Sequence, residues 1–253
     1  ETRKKVNIAI IGKYVNLKDA YKSLDEALIH GGIKNNIKVN LVRIESDKLK
    51  QNQINNVLKD VSGVLIPGGF GKRGTEGKIA AISYVRKNKI PFLGICFGMQ
   101  MAVIEFARNT LKIKNAGSTE LDKNCFPAIG LLNEWNKDGK IIKGTNKDLG
   151  GTMRLGLYEA NLRHNSLIQK IYNTKSIFER HRHRYEVNSN LKNKFENKGM
   201  LFSGMSPDGK LPEIIELKNH PWFIGVQYHP EFKSRPLSPH PLFSSFIKAA
   251  KYY

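Results

Sequence analysis

The first hundred residues alternate short apolar runs with stretches whose apolar positions recur three and four residues apart. "VNIAIIG" (6–12) predicts a buried strand, and from Asp19 to His30 the residues Ala20, Leu24, Ala27 and Leu28 fall at helical spacing. "VNLVRIES" (39–46), "VSGVLIPGG" (61–69) and "IPFLGI" (90–95) predict three further strands, and 48–59, 76–87 and 97–108 three further helices. Alternation of this kind implies a parallel sheet covered on both faces, with ligands bound at the carboxyl ends of its strands.

After Asn109 the pattern changes. Residues 110–150 read as irregular and polar. "TMRLGLYEANL", "SIFERHRHRYEVN", "LFSGMSP", "EIIELKN" and "WFIGVQY" then read as successive strands without intervening helices, added to the sheet in mainly antiparallel fashion. Helical periodicity returns in 241–253. The fold class expected is α/β, a mostly parallel central sheet flanked by helices with added antiparallel strands in the second half. No repeat and no linker divides the chain, so residues 1–253 are expected to form a single domain.

Composition narrows the class of partner. No apolar run is long enough to cross a bilayer, and "ETRKK" at the start lacks both an initiator Met and the apolar core of a signal peptide. That start reads as a cut from a longer chain. The two cysteines, Cys96 and Cys125, cannot build a disulfide framework, which favours a reducing compartment and the cytoplasm. A net charge of +20 would attract polyanions, but the lysines are spread through every segment and interleaved with asparagines, with no basic stripe alternating with aromatics. A solvated surface is expected, without a specific nucleic-acid or membrane partner.

Chemistry concentrates at "GICFGMQ" (94–100). Gly94-Ile95-Cys96-Phe97-Gly98 repeats the G-x-S-x-G spacing of a strand-to-helix elbow with sulfur in place of oxygen. Small neighbours are needed there because the turn leaves no room for side chains, and a thiol at a helix N-terminus meets the positive end of the helix dipole. The alternative is a buried structural cysteine. Cys125, in "NCFPAIG", has neither elbow nor following helix and reads as an inert, partly buried thiol.

A nucleophile needs a base, and the base an orienting group. "VQYHPEF" offers His229 with Glu231 two residues on, where an extended segment would point both side chains the same way. By itself, HPE reads more readily as a surface His-Pro turn; paired with the cysteine elbow, that becomes the lesser reading. Oxyanion donors would come from the N–H of Phe97 and from the glycine turn "PGGFG" after the third strand, although most Gly-Gly turns only reverse the chain. In "ERHRHRYE", period-two alternation sets Arg180, Arg182 and Arg184 against His181, His183 and Tyr185. Two histidines without a third nearby ligand favour a polar strand for substrate and domain contacts over a metal site.

"PGGFG", "GICFGMQ" and "HPEF", in this order and at these separations, resemble the class I glutamine amidotransferase family, whose flavodoxin-like domains carry a Cys-His-Glu catalytic triad. "GKYVNLKDAYKSLDEAL", "GGFGKRGTEGKI", "STE" (118–120), "DLGGTMRLG", "ERHRHRYEVN" and "HPEFKSRP" narrow the resemblance to the glutaminase domains of CTP synthases, over essentially the whole chain. The resemblance implies hydrolysis of L-glutamine through a thioester, with Cys96 as nucleophile, His229 as base and then acid, and Glu231 as orienting carboxylate. It implies oxyanion donors at Gly69 and Phe97, and a glutamine pocket lined by Phe97, Gly98, Met99 and Gln100. Glu120 would meet the α-amino group, Arg184 would clamp the α-carboxylate bidentately, and the backbone of Tyr185 would help position the substrate.

The resemblance further implies an N-terminal amidoligase domain as partner, which uses ATP, Mg2+ and UTP, with GTP as activator, in a homotetrameric enzyme. No cofactor or metal is implied for this domain itself. Three other readings share parts of the pattern: the glutaminase of another amidotransferase such as GMP synthetase, a γ-glutamyl peptide hydrolase, and an inactive polyanion-binding scaffold. "GGTMRLG" and "RHRHRYEVN" argue against the first, and the intact triad against the last.

Overall fold

A computed structural model describes residues 4–13, 18–131 and 153–253; for 18 and 19 it describes the backbone alone. The first half follows the expected alternation: β1 (Lys5–Gly12), α1 (Lys22–Asn35), β2 (Lys38–Glu45), α2 (Ile54–Leu58), β3 (Gly63–Ile66), α3 (Thr75–Lys87), β4 (Phe92–Ile95) and α4 (Phe97–Asn109). The second half holds β5 (Ala116–Ser118), β6 (Phe126–Leu131), β7 (Arg154–Leu162), α5 (Leu167–Tyr172), β8 (Ser176–His183), β9 (Tyr185–Val187), α6 (Lys192–Asn197), β10 (Met200–Met205), β11 (Pro212–Leu217), β12 (Phe223–Val226) and α7 (Pro241–Tyr252).

Among the described residues the main sheet has nine strands in the order β2-β1-β3-β4-β12-β11-β10-β7-β8. From β2 to β12 the neighbours run parallel, and from β12 to β8 antiparallel. β12 is the seam, and it returns from the late part of the sequence to the centre of the sheet beside β4. A small second sheet joins β5, β6 and β9.

Both faces of the parallel part are covered, which is why its strands read as continuous apolar runs. Alternate residues serve two cores. Ala9, Ile11, Val64, Ile66 and Phe92 pack with α2, α3 and α4, whereas Ile8, Ile10, Leu65, Leu93 and Ile95 pack with α1 and α7. α4 is buried on every side from Phe97 to Ala107 and is clamped to α3 by Arg86, which donates from Nε and Nη2 to the fully buried Glu105 carboxylate at 2.8 Å each. A bidentate pair of this kind fixes helix orientation as well as adding energy.

Several expectations need correction. The helix expected over 48–59 is helical in α2 only, preceded by a 3-10 turn at Gln51–Gln53. Its polar run "KQNQINN" has weak helix propensity, and only Leu49, Ile54 and Leu58 reach the core. The strands of the second half are interrupted by α5 and α6, which were not expected. For α5 the signal was present in "SLIQ": Ser166 Oγ accepts from the Gln169 N–H at 3.2 Å, and Gln169 Oε1 reaches back one residue beyond the N-cap to the Asn165 N–H at 2.8 Å, a variant of the capping box. α6 is too short for a periodic signal and is held by Phe195 between Phe106 and Phe202. The stretch 110–150 contains β5 and β6 in its first part; 132–150 lies outside the described residues, as do 14–17 and 148–152 of the stretches quoted above. The strand expected over 176–188 bends at Arg184 and continues as β9 in the second sheet, pairing with β6.

The turn from β4 into α4 sets the tightest tolerance. A Cβ on Gly98 would lie 2.0 Å from the Ile66 carbonyl oxygen, and one on Gly94 2.8 Å from the Gly98 carbonyl group. α4 therefore presses directly on β3 and on its own preceding strand. Gly98→Ala is expected to cost about 2–3 kcal/mol through overpacking, a fall of roughly 5–10 °C in Tm. Differential scanning calorimetry checks this; an unchanged Tm would mean that the contact relaxes freely.

Candidate active site

Cys96 occupies the elbow at φ 50° and ψ −104°, a left-handed conformation that a non-glycine residue adopts only under constraint. The constraint is visible on both sides of the residue. Its N–H donates to the Val226 carbonyl of β12 at 2.7 Å, and its own carbonyl accepts the first helical bond from Gln100 at 3.1 Å. Cys96 is 6% exposed.

Three adjacent parallel strands end together here. Register pairs Ile66 with Gly94, and Gly94 with Gly225. The residues just beyond each strand therefore meet: Gly68 and Gly69 after β3, Cys96 after β4, and His229 after β12. The His229 N–H is anchored on the Arg180 carbonyl at 2.8 Å, its Nδ1 lies 2.8 Å from Glu231 Oε1, and its ring and the Cys96 side chain both border Gly68. Burial opposes charge on this imidazole, but the hydrogen bonds and negative charges of Cys96 and Glu231 outweigh it and push its pKa up to about 10. Room for the ring depends on Gly68, where a Cβ would sit 2.8 Å from His229 Cε1.

Glu231 reaches His229 by a different route from the expected one. The segment is not extended: Pro230–Lys233 forms a 3-10 turn with Pro230 at its start, and the turn folds the carboxylate back onto the ring. His229 and Glu231 face a cavity of about 360 Å3, lined also by Tyr21, Leu24, Pro67 and Phe232.

The remaining expected residues fall around this centre on separate supports. Gly69 lies 4.0 Å from the Phe97 ring, measured from a Cβ position. Glu120 Oε1 accepts the Gly71 N–H at 2.9 Å, which ties it to the glycine turn. Gln100 Nε2 donates to the Tyr185 carbonyl at 3.0 Å and faces Gln227 Oε1 at 3.3 Å. Arg184 is half-buried in the bend between β8 and β9. Met99 is fully buried in the core, so only its main chain is left for the pocket, and Gly98 is pressed against Ile66.

The inner face of β8 carries a buried polar network. Arg154 bridges Glu186 at 3.2 Å and Glu213 at 2.8 Å and lies over the Tyr158 ring. His183 Nδ1 donates to the Tyr185 carbonyl at 3.2 Å, so its Nε2 accepts from His181 Nδ1 at 2.8 Å. Burial, and after it His183 and Arg154, push His181 down to about 2; burial and Arg154 push His183 down to about 3. Burial raises Glu186 to about 8 in spite of Arg154. The histidine pair is thus neutral and bonded to its own strand, and no group of three metal-ligating side chains occurs among the described residues.

Sequence reasoning missed Lys13, Lys78 and Gln227. Lys13 Nζ donates to the carbonyls of Phe70 and Gly71, the latter at 2.9 Å, and so holds the glycine turn from the β1 side. Lys78, 1% exposed, places Nζ 4.8 Å from the centre of the Phe97 ring, and burial together with Lys13 pushes its pKa down to about 8. Its only sequence signal is a lysine on the core side of an amphipathic helix.

In the parallel part of the α/β sheet, a strained thiol elbow, an imidazole and a carboxylate thus come together at the strand ends. A family model described as glutamine amidotransferase class-I matches residues 16–249. The chain is 76% identical over 249 residues to the CTP synthase of Pelagibacter ubique, covering 98% of this chain and 46% of that protein. It is 59% identical over 246 residues to the CTP synthase of Rhizobium johnstonii, covering 97% and 45%. It thus spans about half the length of these curated relatives. The Trypanosoma brucei CTPS glutaminase domain with bound acivicin superposes with a TM-score of 0.87 at 31% identity, over 98% of this chain and 94% of that one. A glutamine amidotransferase from Methylobacillus flagellatus, at 12% identity and a TM-score of 0.54 over 99% and 92%, shares the fold. The chain belongs to the class I glutamine amidotransferase family, and within it to the glutaminase domains of CTP synthases.

The raised His229 has a thermodynamic consequence. With a folded-state value near 10 against an ordinary 6.5, its contribution to stability is fully present below about pH 6.5 and is lost as pH rises through about 10. His229→Gln is expected to remove that component, so that Tm falls less steeply between pH 7 and 10 than in the parent chain. Parallel slopes would show that the imidazole is not held charged.

Proposed function

We propose that residues 1–253 form a single glutaminase domain that hydrolyses L-glutamine to glutamate and ammonia, with Cys96, His229 and Glu231 as its catalytic triad. The observation that carries this reading is one imidazole placed at the strand ends beside the thiol and hydrogen-bonded to a carboxylate at 2.8 Å, with both groups favouring its charged form. An imidazolium beside the sulfur favours thiolate, the nucleophilic form.

The thiolate attacks the side-chain carbonyl carbon of glutamine, and the N–H groups of Phe97 and Gly69 receive the oxyanion. His229 gives its proton to the departing nitrogen, ammonia leaves, and a thioester remains on Cys96. The imidazole, now neutral, takes a proton from water as the water oxygen attacks the thioester. Collapse of the second tetrahedral intermediate expels the thiolate and frees glutamate, restoring the starting ion pair. Glu231 keeps Nδ1 as a donor throughout, so that the other ring nitrogen faces the reaction. Glu120 and Arg184 would bind the amino acid end of the substrate, at the glycine turn and at the β8–β9 bend respectively.

The relatives that extend beyond this chain are CTP synthases, which supports a larger role: ammonia released here would serve an N-terminal amidoligase domain for ATP- and Mg2+-dependent amination of UTP to CTP, with GTP as activator. Among the described residues no helix is long and apolar enough to cross a membrane, consistent with the cytoplasm as the site of action.

Cys96→Ala is expected to abolish glutamine hydrolysis, read as ammonia release, and to prevent labelling by a diazo-ketone analogue of glutamine, read by intact mass. Labelling of the parent chain that excess glutamine does not suppress would contradict the assigned substrate. Arg184→Ala is expected to raise KM for glutamine about 10- to 100-fold with kcat within about threefold, because a carboxylate clamp acts in ground and transition state alike. A dominant loss of kcat would reassign Arg184 to the chemistry.

A further inference from the structure

Gln227 lies two residues before His229, is completely buried, and has no part in the reaction as written above. Its N–H is fixed on the Glu213 carbonyl at 2.8 Å, and its side chain extends between Gln100 and the nucleophile. The amide Nε2 is 3.7 Å from Cys96 Sγ, and the amide Oε1 is 3.3 Å from Gln100 Nε2.

Amide nitrogen and oxygen are nearly indistinguishable by shape, so the polarity of such a chain must follow from its anchors. Here the anchor is the Tyr185 carbonyl, which can only accept. The Gln100 atom 3.0 Å from it must be the nitrogen, and that same nitrogen faces Gln227. Gln227 must therefore present its oxygen to Gln100, and its opposite end, toward the sulfur, is an N–H donor. His183 fixes the anchor in turn by donating to the same carbonyl at 3.2 Å.

An N–H donor aimed at sulfur is weakly bonded to a thiol and strongly to a thiolate. It approaches from a direction distinct from that of His229, and both residues belong to the segment that follows β12. We propose that Gln227 is a positioning residue of the thiol centre: its amide, oriented through Gln100 by the Tyr185 carbonyl, donates to Cys96 Sγ and holds the sulfur as an oriented thiolate. The inference rests on Cys96 being the nucleophile. It adds that the β9 segment next to Arg184 is coupled to the sulfur through two amides. In glutamine turnover the sulfur is anionic before attack and again on leaving the thioester, so the contact acts on turnover more than on substrate binding.

The test uses Gln227→Glu, which keeps the shape and replaces the donor, and Gln227→Leu, which removes both ends, each in a Cys125→Ser background so that one thiol reports. The readouts are the pH dependence of Cys96 alkylation by iodoacetamide without substrate, and kcat and KM for glutamine, with circular dichroism melts confirming the fold. A hydrogen bond to a charged group is worth enough that loss of the donor is expected to move the alkylation midpoint upward by about one pH unit or more in either variant. kcat is expected to fall about tenfold or more, with KM changing by less. Should the Glu variant fail to fold, the Leu variant decides. Folded variants whose midpoint matches that of the parent would overturn the proposal. A parent chain in which Cys96→Ala still hydrolyses glutamine would overturn the reading of the nucleophile itself, whereas an active parent with unshifted variants overturns only the role of Gln227.

Discussion

The parallel pairing of β12 with β4 is the contact on which the site depends. Its hydrogen bond from Cys96 N–H to the Val226 carbonyl, at 2.7 Å, holds the elbow residue in a left-handed conformation that its own side chain disfavours. The same strand leads to His229 only three residues beyond Val226, so one register fixes both the strain and the placing of imidazole beside thiol. Local strain persists where the surroundings over-determine it. Here the surroundings are α4 lying against Ile66, β12 alongside, and the Arg86–Glu105 clamp that keeps α4 on α3.

Charge inside the molecule is arranged around that centre. His229 is held charged beside a thiol and a carboxylate, while His181 and His183 are held neutral by burial and by Arg154. The same residue type is thus charged at His229, beyond β12, and neutral on β8. In both cases the cause is the balance of desolvation against partners: Cys96 and Glu231 favour charge on His229, whereas Arg154 opposes it on the β8 pair. The neutral pair is useful as structure, because its hydrogen bonds fix the Tyr185 carbonyl and through it the amide of Gln100. Lys13 and Glu120 play a comparable part for the glycine turn, binding its carbonyls and an N–H from opposite sides.

Much of the parallel half was legible because its physics is local. A strand buried on both faces must be apolar throughout, and a helix lying on it must be periodic; β1, α1, β3, α3, β4 and α4 satisfy both demands. The antiparallel half was less legible. α6 is short and owes its existence to Phe195 filling a space between Phe106 and Phe202, a tertiary cause with no period. The break at Arg184 likewise comes from β9 pairing with β6 in another sheet, which no alternation within 176–188 encodes.

By itself the sequence determined the α/β alternation, the glycines of the elbow and the identity of Cys96, His229 and Glu231 as candidates, because each is set by residue type and spacing within a few positions. Only the tertiary structure decided that β12 inserts beside β4, that a 3-10 turn and not a strand brings Glu231 to His229, and that Lys78 and Gln227 stand behind the site. Apart from the turn at Glu231, these contacts join residues distant in the chain: Gln227 lies 131 positions from Cys96, and their meeting follows from strand order. A strand's neighbours are chosen by burial summed over the whole core, a quantity that no local stretch of sequence contains.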